Sequence, residues 1–114
     1  MQLTILQDQV DFSVVALAGR MDLAGVGAIE TRFYATLAPK GKDAIIDLSR
    51  TEFLASMGIR MLVTAAKTLE RKGARMLLCG PNEIVGQVLV DTGIDQFVPV
   101  VPDLDTAIAR LKQR

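Results

Sequence analysis

The 114-residue chain contains no histidine. Histidine is the commonest general acid–base residue and the commonest metal ligand, so its absence removes both roles together. Neither a Ser–His or Cys–His nucleophilic site nor a zinc site with imidazole ligands can be assembled from this chain. Carboxylate chemistry remains open in principle. We predict a binding protein rather than an enzyme, with no catalytic residues, no metal site and no cofactor.

Cysteine is almost as scarce, since Cys79 is the only one. It ends the apolar run Met76-Leu77-Leu78-Cys79, and burial among apolar side chains raises the pKa of a thiol. We therefore expect an inert core thiol. A single cysteine cannot form an intramolecular disulfide, which fits a reducing compartment.

The chain also lacks an excess of charge and any long apolar run. Basic and acidic residues number 13 each, and no cluster of Lys and Arg offers the phosphate neutralisation that nucleic-acid binding requires. No apolar run approaches the roughly 18 residues that span a bilayer. The N-terminus has no basic n-region, apolar h-region or cleavage site. We predict a soluble, cytoplasmic protein that neither inserts into a membrane nor binds nucleic acid.

What the chain does have is aliphatic residues in regular patterns. Half of it is hydrophobic and only 4% is aromatic, so the core must be mostly aliphatic. Short apolar runs predict strands at residues 3–6, 12–18, 44–48, 74–79 and 98–101. Apolar residues three and four apart predict helices at 24–37, 58–72, 82–91 and 103–112, with Gly73 as a stop and Asn82 and Asp103 as caps.

This alternation of strands and helices predicts an α/β fold with a mostly parallel central sheet of about five strands, flanked by about four helices. The first two strands are expected to form a hairpin at one edge. The length fits a single domain over residues 1–114.

The junction that precedes the second helix is the most informative segment. A buried strand ends at Asp47-Leu48, a loop follows, and the helix is predicted to begin near Met57, so Ser56 falls at the N-cap. The hydroxyl of Ser56 could simply cap the helix, which stabilises by roughly 1 kcal/mol. Alternatively, the helix N-terminus is an anion site, a phosphate on Ser56 would add about −1.5 to −2 charges, and Gly58 keeps the approach to the hydroxyl open.

The run Asp-Leu-Ser-x-Thr-x-Phe-Leu-x-Ser-x-Gly at residues 47–58 resembles the signature of the STAS domain family, in particular the bacterial anti-sigma-factor antagonists. Leu17-x-Gly-x-x-Asp22 resembles the second strand and following turn of the same family. The predicted order of strands and helices is similar over essentially the whole chain.

The resemblance implies a partner switch. In this family the unmodified antagonist binds an anti-sigma factor that is a serine kinase, and so releases a sigma factor. The kinase phosphorylates the serine that matches Ser56, the phosphoprotein dissociates, and a serine phosphatase restores it. The partner-binding surface implied for this chain consists of Asp22, Leu54, Ala55, Met57, Gly58 and Arg60.

The chain departs from the family pattern on both sides of the serine. The family usually has Asp before it and Ser or Thr after it, whereas this chain has Ala55 and Met57. The acidic neighbour that could aid kinase recognition is lost, and Met57 is expected to add an exposed, adaptable apolar contact. The alternative is a STAS binding module without phosphorylation, in a signalling assembly or as an accessory subunit of a membrane transport system.

Two further possibilities remain open from the sequence. A nucleotide hydrolase that uses Asp22 or Asp47 has no supporting motif. A homodimer could form through an aliphatic helix face or through the N-terminal edge strand.

Overall fold

The computed structural model describes residues 1–113, in which four α-helices pack on a six-stranded sheet. The strands are β1 (Gln2–Asp8), β2 (Phe12–Met21), β3 (Asp43–Asp47), β4 (Thr51–Leu54), β5 (Met76–Cys79) and β6 (Val100–Val101). The helices are α1 (Leu23–Leu37), α2 (Ser56–Arg71), α3 (Glu83–Asp91) and α4 (Leu104–Lys112), with a 3₁₀ turn at Ile94–Gln96. None of these helices is long and apolar enough to cross a membrane.

The sheet has the order β1-β2-β3-β5-β6, and β4 pairs with β2 beside this path. Only β1 is antiparallel to its neighbour; the other pairings are parallel. The predicted α/β class, mostly parallel sheet, edge hairpin and four helices are confirmed.

Hydrogen bonds typical of helix ends form the end of α2 and the starts of α3 and α4. Gly73 adopts φ +79°, and the amide of Ala74 donates to the carbonyl of Leu69 over 2.9 Å, which closes the end of α2. Asn82 accepts from the Val85 amide at 2.7 Å, and Asp103 accepts from the Thr106 amide at 2.7 Å. The predicted stop and both predicted caps are confirmed.

Apolar side chains fill both faces of the sheet. The larger cluster lies under α1, α2 and α3 and contains the fully buried Phe33, Leu62 and Leu89. The smaller cluster lies under α4 and includes Cys79. Cys79 is buried as predicted, and burial raises the pKa of its thiol to about 12.

Strand β4 corrects the sequence prediction, which assigned residues 51–54 to a loop. Only residues 12–16 of the ten-residue β2 pair with β3, so its far end is free to pair with another strand. Thr51 and Leu54 are buried while Glu52 is exposed, and the Thr51 hydroxyl donates to the Leu17 carbonyl at 2.8 Å. Four residues with a central glutamate are too short for periodicity alone to reveal a strand.

The connections bring three helix N-termini to one end of the sheet. α1 follows β2, α2 follows β4, and α3 follows β5, and these three strands run in the same direction. In an open α/β sheet, ligands bind outside this carboxyl end of the strands.

Candidate partner-binding site

Pairing between β2 and β4 sets the position of Ser56. Leu54 lies opposite Met21 in the parallel register, and the amide of the next residue, Ala55, donates to the Met21 carbonyl at 3.0 Å. Helix α2 begins immediately afterwards at Ser56. Ser56 is therefore held beside the Met21–Asp22 segment, which leads into α1.

The interpretation of Ser56 as a helix cap is wrong. The N-cap is Ala55, in extended conformation, and no side chain caps the helix. Ser56 is the first helical residue and its side chain is exposed. The helix starts one residue earlier than predicted because Ala55 is still hydrogen-bonded to β2. The first turn of α2 therefore keeps backbone N–H groups without a side-chain acceptor, next to an exposed hydroxyl.

Gly58 also has a different role from the one predicted. It is buried, and a Cβ at this position would lie 2.6 Å from Leu54 Cδ1 and 3.0 Å from Met21 Cβ. Gly58 thus allows α2 to lie directly against the ends of β2 and β4, and it does not serve to open the approach to Ser56.

The remaining predicted contact residues divide by exposure. Leu54 is 2% exposed, and Met57 is half-buried against the main core, so the expectation of an exposed Met57 is wrong. Asp22 and Ala55 are half-buried and Arg60 is exposed. Direct contact with a partner by Asp22, Ala55 and Arg60 stays a prediction. Leu54 and Gly58 lie below this surface, where they position the residues above them.

Asp22 belongs to a small cluster with Arg20 and Phe53, of which the sequence predicts only Asp22. Its Oδ1 accepts from the Gly25 amide at 2.8 Å, which caps α1, and its Oδ2 lies 3.4 Å from Arg20 Nε. The guanidinium carbon of Arg20 lies 4.5 Å from the centroid of the Phe53 ring. Arg20 and Phe53 are partners in the β2–β4 register. No local pattern in the sequence indicates this pair, because it depends on the pairing of β4 with β2.

These contacts lower the pKa of the Asp22 carboxyl, first through the Gly25 amide and then through Arg20. A carboxyl with a depressed folded pKa contributes stability above its unfolded pKa, and that stability is lost as pH falls through the folded pKa. We expect an NMR pH titration that follows the side-chain carboxyl carbon of Asp22 to give a pKa below the ordinary value for aspartate.

The variant Arg20→Gln is expected to raise the Asp22 pKa while leaving it below its ordinary value, because the contact with Gly25 remains. Arg110→Gln, which removes a distant arginine, is the matched control. A return of the Asp22 pKa to its ordinary value in Arg20→Gln would contradict the stated order of causes.

Two exposed apolar side chains at this end of the sheet were also missed. Leu23 in the first turn of α1 is 72% exposed, and Ile84 in the first turn of α3 is 63% exposed. The predicted α1 began one residue after Leu23, and Ile84 stands in an apolar run that gives no sign of which side chains face outward. Large apolar side chains beside charged groups are typical of a protein-binding surface.

This end of the sheet therefore combines an exposed serine with charged side chains and exposed apolar side chains. The chain is also similar to known proteins over nearly its whole length. The STAS domain model matches residues 4–107. Over 113 residues the chain is 26% identical to BtrV of Bordetella bronchiseptica, named as an anti-sigma factor antagonist, covering 98% of this chain and 96% of that protein.

Solved structures show the same similarity. An anti-sigma factor antagonist from Mycobacterium paratuberculosis is 27% identical with a TM-score of 0.85, covering 98% of this chain and 96% of that one. The phosphorylated form of SpoIIAA, a Bacillus cell fate determinant, is 20% identical with a TM-score of 0.71, covering 96% of this chain and 99% of that one. This second likeness concerns the fold alone.

Proposed function

This chain belongs to the STAS domain family, and from that premise we propose that it is an anti-sigma-factor antagonist whose binding is controlled at Ser56. Its partners are an anti-sigma factor with serine-kinase activity and a serine phosphatase. The observation that carries the proposal is the placement of Ser56 as the exposed first residue of α2, with Ala55 rather than the serine hydroxyl at the cap position.

This placement makes the hydroxyl suitable as a phosphate acceptor. Phosphorylation consumes no capping interaction, so the modified helix loses none of its end contacts. The phosphate would lie at the positive end of the α2 dipole, among N–H groups that no side chain occupies. The fold can therefore carry the modification without reorganisation.

The same placement gives a physical basis for release. A phosphoserine adds about −1.5 to −2 charges to the surface that the partner covers. Asp22, on the segment to which Ala55 is hydrogen-bonded, already contributes a carboxylate to this end of the sheet, where it is paired with Arg20. A partner that covers both positions would have to desolvate the phosphate as well as this ion pair. Dissociation is the expected response.

The relatives support this assignment. Both the Bordetella and the Mycobacterium proteins are named as anti-sigma factor antagonists. SpoIIAA has been solved in a phosphorylated form, which supports the view that this fold accepts a phosphate.

Phosphorylation can be tested by intact-mass analysis after incubation with ATP and the kinase captured on the unmodified protein from its source cell. We expect an increment of about 80 Da, one phosphoryl group. The chain has only three serines, Ser13, Ser49 and Ser56, and Ser13 is buried.

The exposed Ser49 provides the matched control. Ser56→Ala is expected to abolish the mass increment, and Ser49→Ala is expected to retain it. An unchanged mass for the wild type in the presence of a bound, active kinase would instead favour a STAS binding module without phosphorylation.

A further inference from the structure

Arg20 lies at the carboxyl end of β2 and is absent from the contact surface predicted from the sequence. It pairs with Phe53 in the register between β2 and β4. The next residue, Met21, accepts the hydrogen bond from Ala55 that fixes the start of α2. Nε of Arg20 lies 3.4 Å from Oδ2 of Asp22, which is one of the predicted contact residues. A partner that contacts Asp22 would therefore cover part of Arg20 as well.

The guanidinium of Arg20 is held in place by two contacts within the chain. Its carbon lies 4.5 Å from the centroid of the Phe53 ring, and the face of an aromatic ring attracts a cation. The Asp22 carboxylate lies beside Nε of the same group. A long side chain loses conformational freedom when a partner immobilises it, and these two contacts have already restricted Arg20.

The two terminal nitrogens of Arg20 remain available for a partner. Despite the ring contact and the ion pair, 59% of the side chain is exposed. Neither Nη1 nor Nη2 donates a hydrogen bond to any of residues 1–113. Because Asp22 lies beside Nε, the end of the guanidinium that carries these two nitrogens faces no acceptor of the chain.

Arg60, the arginine that the sequence does assign to this surface, is held less firmly. It is exposed, and it forms neither an ion pair nor a contact with an aromatic ring among residues 1–113. A partner that binds Arg60 must order the side chain itself, whereas the fold already presents Arg20 in one orientation.

We propose that Arg20 belongs to the partner-binding surface and that its terminal N–H groups bind a carboxylate of the anti-sigma factor. Covering these donors without an acceptor would leave a desolvated and unsatisfied charge. A carboxylate is the anionic group that a protein partner supplies, and its two oxygens match the planar fork of a guanidinium. This inference rests on the proposed function, because the carboxylate belongs to the anti-sigma factor.

Calorimetric titration with the anti-sigma factor captured on the wild-type protein tests the contact. Arg20→Gln is expected to weaken binding about tenfold or more, because the amide cannot form a charge-assisted contact. Arg71→Gln is the matched control, since it removes an equal charge from an exposed side chain in the last turn of α2. It is expected to bind as the wild type does, and thermal melts verify that each variant folds.

A double-mutant cycle separates a direct contact of Arg20 from an effect transmitted through Asp22. Each Asp and Glu of the anti-sigma factor is replaced in turn by its amide. One of these replacements is expected to weaken binding to the wild type about tenfold and to cause little further loss with Arg20→Gln.

The variant Phe53→Leu keeps the charge of Arg20 but removes the ring that it lies over. Binding is expected to weaken by a few-fold, because the partner must then order a freer arginine. The same substitution is expected to add nothing in the Arg20→Gln background. A further loss in that background would contradict the role of the ring.

The proposal is overturned if Arg20→Gln binds as tightly as the wild type, or if no carboxylate of the partner is coupled to Arg20. Ser56→Asp, measured in the same titration, distinguishes this failure from failure of the proposed function. If Ser56→Asp releases the partner while Arg20→Gln retains it, only the role of Arg20 is lost. A wild type that binds no anti-sigma factor overturns both proposals.

Discussion

Replacing Ser56 with aspartate is expected to weaken binding to the anti-sigma partner by about 30-fold or more, equivalent to about 2 kcal/mol. The substitution places a fixed negative charge at the first position of α2, where the native side chain is exposed and uncharged. An aspartate there is favourable in the free protein because of the helix dipole, so folding is not the cause of the loss. The penalty arises in the complex, where the charge is desolvated without a partner.

Two control variants, Ser56→Ala and Ser49→Asp, separate the effect of a negative charge at position 56 on binding from the other effects of substitution. Ser56→Ala removes a hydroxyl that does not cap the helix, so binding is expected to stay within a few-fold of the wild type. Ser49→Asp adds the same charge at the other exposed serine, and binding is expected to be retained. Titration calorimetry with the captured partner measures all three. Equal binding by Ser56→Asp and Ser56→Ala would rule out a switch based on charge.

The sequence could predict helices and strands whose apolar residues recur at a regular spacing. It could also predict helix ends that are marked by residues with a strong conformational preference. The apolar spacing of α2 predicts one buried face, and Gly73 at its end predicts a left-handed stop, because both follow from local geometry. The core side of α2 was therefore available in outline from the pattern alone, whereas the apolar run that contains Ile84 in α3 gave no sign of which side chains face outward. The resemblance at residues 47–58 added the location of the candidate partner-binding junction.

What could not be predicted depends on pairing between distant segments. Strand β4 exists because the far end of β2 has no other neighbour, and no local pattern contains that information. The cap at Ala55 and the half-burial of Met57 both follow from this pairing, since the hydrogen bond from Ala55 to Met21 fixes where α2 begins. The Arg20–Phe53 contact was missed for the same reason. The errors around Ser56 and Arg20 thus share one structural cause.

A close approach between two backbone segments makes Gly25 the residue near the site that is most sensitive to substitution. A Cβ on Gly25 would lie 1.9 Å from the Arg20 carbonyl oxygen, which belongs to the backbone and cannot rotate away. Gly25→Ala is therefore expected to destabilise the protein by about 3 kcal/mol, at the upper end of the usual range for overpacking. Chemical denaturation measures this as a lower midpoint.

Gly27→Ala is the matched control, two residues further along the same helix. A Cβ on Gly27 would meet nothing within 4 Å, so alanine is expected to stabilise the protein by about 0.5–1 kcal/mol through its higher helix propensity. Similar effects of both substitutions would mean that helix propensity, and not the approach of α1 to β2, governs the stability of this region.

If Gly25→Ala alone is destabilising, the Asp22 pKa should also rise in that variant, because the Gly25 amide that lowers it has been displaced. The stability of the fold and the electrostatics of the proposed partner-binding surface would then depend on the same residue.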